Sequence, residues 1–225
     1  SVHNAIDAST GIVAINNIGN GDIYGIYNNE DFHYGLQNAC GIGANGIINI
    51  SNSDNADGNV YGTYSKSVSD DGDVNRHANV VLGNEHSVQD NNDITGTILI
   101  TNSGSGDVHG MYNPSANVHI SNSTLANINA SGVIDIKNTS DSNNVYGIYK
   151  ENASRSIGNI SLKDGDYDSI DINALINLEN TGNGNVYGIY SLGAEMHNIA
   201  IIDSSVSGAS NILSEISITN YGDGN

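Results

Sequence analysis

Isoleucines recur at alternate positions in short runs along this chain. Ile48-Asn49-Ile50, Ile98-Leu99-Ile100, Ile134-Asp135-Ile136 and Ile216-Ser217-Ile218 carry the period of two expected of strands that bury one face. Each run ends on an asparagine, giving the series Asn17, Asn52, Asn102, Asn138, Asn180 and Asn220. A turn-forming stretch follows, and then a motif of Val or Ile, Tyr or His, Gly, a variable residue and Tyr. Its five copies are Ile23-Tyr24-Gly25-Ile26-Tyr27, Val60-Tyr61-Gly62-Thr63-Tyr64, Val108-His109-Gly110-Met111-Tyr112, Val145-Tyr146-Gly147-Ile148-Tyr149 and Val186-Tyr187-Gly188-Ile189-Tyr190. Measured between the asparagines, the repeats are 35, 50, 36, 42 and 40 residues long.

Each repeat has a second, fainter half. Asn79-Val80-Val81-Leu82, Asn117-Val118-His119-Ile120, Asn159-Ile160-Ser161-Leu162 and Asn198-Ile199-Ala200-Ile201 read Asn, apolar, variable, apolar, and are followed by Asn84, Asn122, Asp164 and Asp203. Fixed-period self-similarity of this kind marks a solenoid. Two strand-and-turn signals per repeat predict about two rungs per 35–50-residue repeat, with a single all-β solenoid over residues 1–225. Polar sequence without apolar periodicity places a loop insertion around 65–93.

The repeated residues acquire roles in that frame. The Ile pairs point inward and stack from rung to rung. Asn tolerates the left-handed backbone of a corner and passes amide hydrogen bonds along a ladder, so Asn17, Asn52, Asn102, Asn138, Asn180 and Asn220 are the predicted structural ladder. Strict alternation through the motif puts Val, Gly and the second Tyr on the inner face. Tyr24, Tyr61, His109, Tyr146 and Tyr187 then form an exposed row recurring every second rung, about 9 to 10 Å apart. Such a row suits stacking against a sugar or a partner protein, and it is the candidate ligand-binding site.

Composition changes the picture in two ways. Asn and Gly, 37 and 27 residues of 225, exceed a quarter of the chain and exclude a helical bundle. Low hydrophobicity with a net charge of −19 is also the signature of disorder, but the ordered placement of Ile and Val opposes that reading. Six Lys plus Arg offer no basic surface, so nucleic acid is excluded as a partner, and no apolar run is long enough to insert in a membrane.

Chemistry is sparse. Cys40 is the single cysteine, with no partner for a disulfide. His3, His33, His77, His86, His109, His119 and His197 show no ligand spacing, so neither a metal nor a cofactor is expected. Asp70, Asp71 and Asp73 are the densest acidic cluster and read as a solvated loop. Gly19-Asn20-Gly21-Asp22 and Gly104-Ser105-Gly106-Asp107 read as turns between strands.

Repeats of Gly-x-Ile-x-Ile-x-Asn-x-Gly-x-Gly-x-Val-Tyr-Gly-Ile-Tyr character resemble the passenger regions of bacterial autotransporters, over essentially the whole chain. The resemblance implies a right-handed parallel β-helix displayed on the bacterial cell surface or released outside the cell. It implies a piece of a longer passenger that is not an enzyme and mediates adhesion or self-association. The partners would be a host surface protein, a glycan or another copy of itself. Polysaccharide lyases and glycoside hydrolases share the β-helix and are the rival reading. None of Lys66, Arg76, Lys137, Lys150, Arg155 and Lys163 sits in a recognisable sugar-acid motif. A passive stalk is the third.

Overall fold

The structure, a computed structural model, describes residues 11–28, 45–54, 56–65, 80–84, 94–112, 118–123, 130–141, 143–151, 160–164, 171–192, 199–200 and 211–225. The elements among them are all strands: β1 Gly11–Asn17, β2 Ile23–Asn28, β3 Asn45–Asn52, β4 Val60–Ser65, β5 Val80–Asn84, β6 Ile94–Asn102, β7 Val108–Tyr112, β8 Val118–Ser123, β9 Ala130–Asn138, β10 Val145–Glu151, β11 Ile160–Asp164, β12 Asp171–Asn180, β13 Val186–Leu192, β14 Ile199–Ala200 and β15 Asn211–Asn220. They stack as three parallel sheets. The first has the order β1-β3-β6-β9-β12-β15, the second β13-β10-β7-β4-β2 and the third β14-β11-β8-β5. The chain visits the sheets in turn and returns one strand further along, which is a parallel β-solenoid.

Register is fixed by the repeat. In the first sheet Ile48 lies beside Ile98, Ile98 beside Ile134 and Ile134 beside Ile176, and the asparagines pair in the same way. Ile48, Ile50, Ile98, Ile100, Ile134 and Ile136 are buried, as their alternation predicts. They meet Val60, Val108, Met111, Val145 and Ile148 of the second sheet in one continuous apolar core. Burying an aliphatic side chain of this size contributes about 1.5 to 3 kcal/mol, so a narrow core suffices when every rung repeats it.

The asparagine ladder runs unbroken through the turn after the first sheet. Each Nδ2 donates to the Oδ1 one rung on: Asn17 to Asn52 at 2.9 Å, Asn52 to Asn102 at 2.7 Å, Asn102 to Asn138 at 2.8 Å, Asn138 to Asn180 at 2.7 Å and Asn180 to Asn220 at 3.0 Å. The other amide hydrogen closes the turn on a nearby carbonyl, as from Asn102 to Gly104 at 2.8 Å and from Asn180 to Gly182 at 2.7 Å. An amide carries both donors and acceptor on one planar group, so it repeats indefinitely under a single translation.

The pairing corrects two expectations. There is one rung per repeat, with three strands in it, because Ile100 pairs with Ile136 and the fainter half-repeats pair only among themselves, Leu82 with Ile120 and Ile160 with Ile199. A strand signal in sequence does not say which strand it will lie beside, so each half-repeat is a strand of the coil and not a rung of its own. The second correction concerns the motif. Its pairing skips the glycine in every rung, running Val60 with Val108, Tyr61 with His109, Thr63 with Met111 and Tyr64 with Tyr112. A Cβ on Gly110 would stand 2.5 Å from Ile134 Cγ2 and 2.6 Å from the Gly147 carbonyl oxygen. The glycine therefore lets the two sheets close together, and the strand bends there. Alternation breaks at the bend: Thr63, Met111 and Ile148 turn inward with the valines, and both aromatics of the motif lie outside. The sequence at 65–93 lies outside the described residues except for Ser65 and β5.

Two substitutions test the interior. Asn138→Asp puts an acceptor-only carboxylate, fully buried, against the Asn180 Oδ1. It should destabilise more than Asn138→Ala, which leaves broken hydrogen bonds at about 1 to 3 kcal/mol each; urea melts at pH 7 should rank wild type, Ala, Asp. Thr63→Val removes a buried hydroxyl that has no hydrogen-bond partner. It should stabilise by about 1 kcal/mol in the same melts.

Candidate functional site

Because the bend sends both aromatics of each motif outward, successive rungs build two columns of rings on the second sheet. The inner column is Tyr24, Tyr61, His109, Tyr146 and Tyr187, with centroids 5.0, 4.8, 4.7 and 5.2 Å apart and planes within 9°. The outer column is Tyr27, Tyr64, Tyr112, Tyr149 and Tyr190, at 5.1, 4.9, 4.9 and 5.1 Å. Each inner ring also meets outer rings edge-on, as Tyr61 meets Tyr64 at 5.1 Å and Tyr112 at 5.5 Å. Offset stacking within columns and edge contacts between them are the arrangements that ring quadrupoles favour.

The predicted row is thus brought together, at one rung spacing rather than two. Its exposure is corrected: Tyr61, His109 and Tyr146 are buried, at 7, 5 and 8%. The faces of these three rings are covered by the rings above and below, so no sugar can stack on them. The outer column carries the accessible aromatic surface, and Tyr27 is 49% exposed. Strict alternation places it inside, and the recurring glycine is the signal that the alternation breaks.

A second polar ladder borders the inner column. The side chain of the residue before the Val or Ile of each motif accepts from the backbone N–H of its counterpart one rung on: Asp22 from Asn59 at 2.8 Å, Asn59 from Asp107 at 2.9 Å, Asp107 from Asn144 at 2.7 Å, Asn144 from Asn185 at 3.2 Å and Asn185 from Asn225 at 2.9 Å. The Val N–H returns a bond to the carbonyl of the next rung, as from Val108 to Asn144 at 2.9 Å. This position is Asp or Asn in every copy, a signal that turn composition alone also accounts for. No two aspartates occupy adjacent rungs, which keeps carboxylates from stacking a strand spacing apart.

Electrostatics follow from enclosure. Burial, then the Asp22 carboxylate, pushes the Tyr61 hydroxyl up to about 12. Burial and Asp107 raise Tyr146, and burial and Asp22 raise Tyr24, whose hydroxyl donates to Asp22 at 3.2 Å. Burial alone lowers the His109 imidazole to about 3, and its Nδ1 has no hydrogen-bond partner. Cation–π attraction from Tyr61 and Tyr146 would return only about 1 to 2 kcal/mol to the imidazolium, less than its desolvation, so His109 is neutral. All four of these shifts move away from neutral pH.

Among the described residues no three His, Cys, Asp or Glu side chains converge on a metal position. Asp70, Asp71, Asp73 and Cys40 lie outside the described residues, as do His3, His33, His77, His86 and His197. No family profile, curated protein or solved structure matches the chain. Its class is therefore defined by its own geometry: a three-sheet parallel β-solenoid with one coil per repeat, an internal asparagine ladder and an external aromatic double column.

The buried imidazole makes stability depend on pH. The unfolded chain takes up this proton near pH 6.5 and the folded chain only near 3, so the contribution is intact above pH 6.5 and is lost as pH falls from there toward 3. Restoring the tyrosine of the other rungs removes the effect. His109→Tyr should gain about 2 to 3 kcal/mol over wild type between pH 7 and pH 4, and parallel pH profiles in denaturant melts would contradict this.

Proposed function

We propose that this chain is a non-enzymatic solenoid segment, displayed on the bacterial cell surface or secreted in the manner of an autotransporter passenger, that associates laterally with a second copy of itself or with a host protein or glycan. The observation that carries the reading is the outer face of the first sheet. Six in-register strands present three columns there: Ile12, Ile47, Thr97, Val133, Leu175 and Glu215; Ala14, Asn49, Leu99, Asp135, Asn177 and Ser217; Asn16, Ser51, Thr101, Lys137, Glu179 and Thr219. Three carboxylates and one lysine stand on this face, and Lys137 pairs with Glu179 at 3.3 Å. Its own net charge is −2, so like charge opposes close contact between copies at low salt.

Six strands about 4.8 Å apart and some 20 Å long give roughly 500 Å² per copy. Two such faces bury about 1,000 Å², the lower limit of a specific contact. A single segment therefore associates weakly, and affinity accumulates along a longer array.

Sedimentation velocity tests the reading. Association should strengthen from low to high salt as the like charge is screened. Placing charge on the face through Asn49→Glu and Thr101→Glu, both exposed positions, should weaken it about tenfold, equivalent to about 1.4 kcal/mol. A strict monomer at both salts would remove self-recognition, and hydrolysis of any polysaccharide in a glycan screen would favour the enzyme.

A further inference from the structure

The outer aromatic column is an uninterrupted series of phenols, one on each of five rungs. Tyr64 and Tyr112 are parallel to 1° at 4.9 Å, Tyr112 and Tyr149 to 9° at 4.9 Å, Tyr27 and Tyr64 to 15° at 5.1 Å, and Tyr149 and Tyr190 to 18° at 5.1 Å. The column keeps access to solvent, with Tyr27 exposed and the other four half-buried, whereas Tyr61 and Tyr146 of the inner column are closed in. The chain's single cysteine leaves no disulfide to lock one rung to the next.

We propose that this outer column is an oxidative cross-linking site, at which tyrosines on neighbouring rungs are joined as dityrosine when a haem peroxidase acts with hydrogen peroxide. Each phenol gives one electron to the peroxidase and its proton to water, leaving two tyrosyl radicals. Their ortho carbons couple in a new carbon–carbon bond. The hydrogen on each coupled carbon then moves to the phenolic oxygen, and both rings become aromatic again. Two electrons and two protons leave the pair and reduce one hydrogen peroxide to two waters.

The geometry selects the partners. In-register pairing holds each ring beside its counterpart, so near-parallel rings about 5 Å apart need only tilt for ortho carbons to meet, while rings two rungs apart are screened by the one between. In the inner column Tyr61 and Tyr146 are buried and His109 between them is not a phenol, so no two adjacent phenols there are both open to tilt except at the ends, where Tyr24 and Tyr187 each have a buried neighbour. Each new bond closes a loop of a whole repeat, which restricts the unfolded chain as a disulfide would and raises the thermal midpoint.

The test treats dilute folded protein with a haem peroxidase and limiting hydrogen peroxide, then reads dityrosine fluorescence, cross-linked peptides and the melting curve. Intrachain pairs should be Tyr27 with Tyr64, Tyr64 with Tyr112, Tyr112 with Tyr149 and Tyr149 with Tyr190, with a raised melting midpoint. The urea-unfolded chain should give pairs outside that order. Tyr64→Phe keeps the ring but not the phenol; it should lose the two pairs containing residue 64 and keep the other two. Tyr146→Phe should change none of the four. The proposal is overturned if folded protein yields no dityrosine, if its pairs match those of the unfolded chain, or if cross-links are confined to Tyr221 or to contacts between chains.

Discussion

Translation by one strand spacing is the constraint on which the structure depends. When each rung repeats the last about 4.8 Å further along, every side chain has its counterpart as neighbour, and a column built of one residue type needs a residue that interacts well with itself. Isoleucine does so by dispersion and water exclusion, tyrosine by offset stacking, and asparagine because it donates and accepts at once. Aspartate does not, and in the ladder beside the aromatic columns Asp22 and Asp107 are separated by Asn59. Where the turn residue of one rung is Asn143 instead of glycine, its amide joins the main ladder, donating to the Gly106 carbonyl at 2.6 Å and to Asn138 Oδ1 at 3.2 Å.

That constraint explains what could be read from the residues. The inward Ile pairs and the six ladder asparagines were legible because each column repeats one residue type and each type has one stable way to stack on itself. The number of rungs was not, because alternation identifies a strand without identifying its neighbour. Only the match of Asn102 to Asn138, a full repeat apart, fixes the coil. The facing of the tyrosines departs from strict alternation for a local reason. Period two holds only in an unbent strand, and the glycine between His109 and Met111 sits against Ile134 where no Cβ fits.

The same geometry reshapes the functional reading. A row of tyrosines suggested sugar stacking, but self-stacking uses the ring faces that a sugar would need. What the rungs leave available are long, repetitive surfaces: the outer face of the first sheet and the edges of the outer phenols. Surfaces of that kind suit contacts that are weak per rung and add along an array. The acidic charge sets the salt dependence of any such contact.

One coil per repeat, with like residues adjacent, is the central claim, and disulfide trapping tests it most directly. Ser51 and Thr101 are outward, paired neighbours on β3 and β6. Their Cα atoms lie about a strand spacing apart, inside the roughly 4.4 to 6.8 Å that a disulfide spans. In a Cys40→Ser background, Ser51→Cys with Thr101→Cys should close under mild oxidation, and Thr101→Cys with Ser121→Cys should stay reduced. Closure of the second pair and not the first would mean two coils per repeat and would contradict the account.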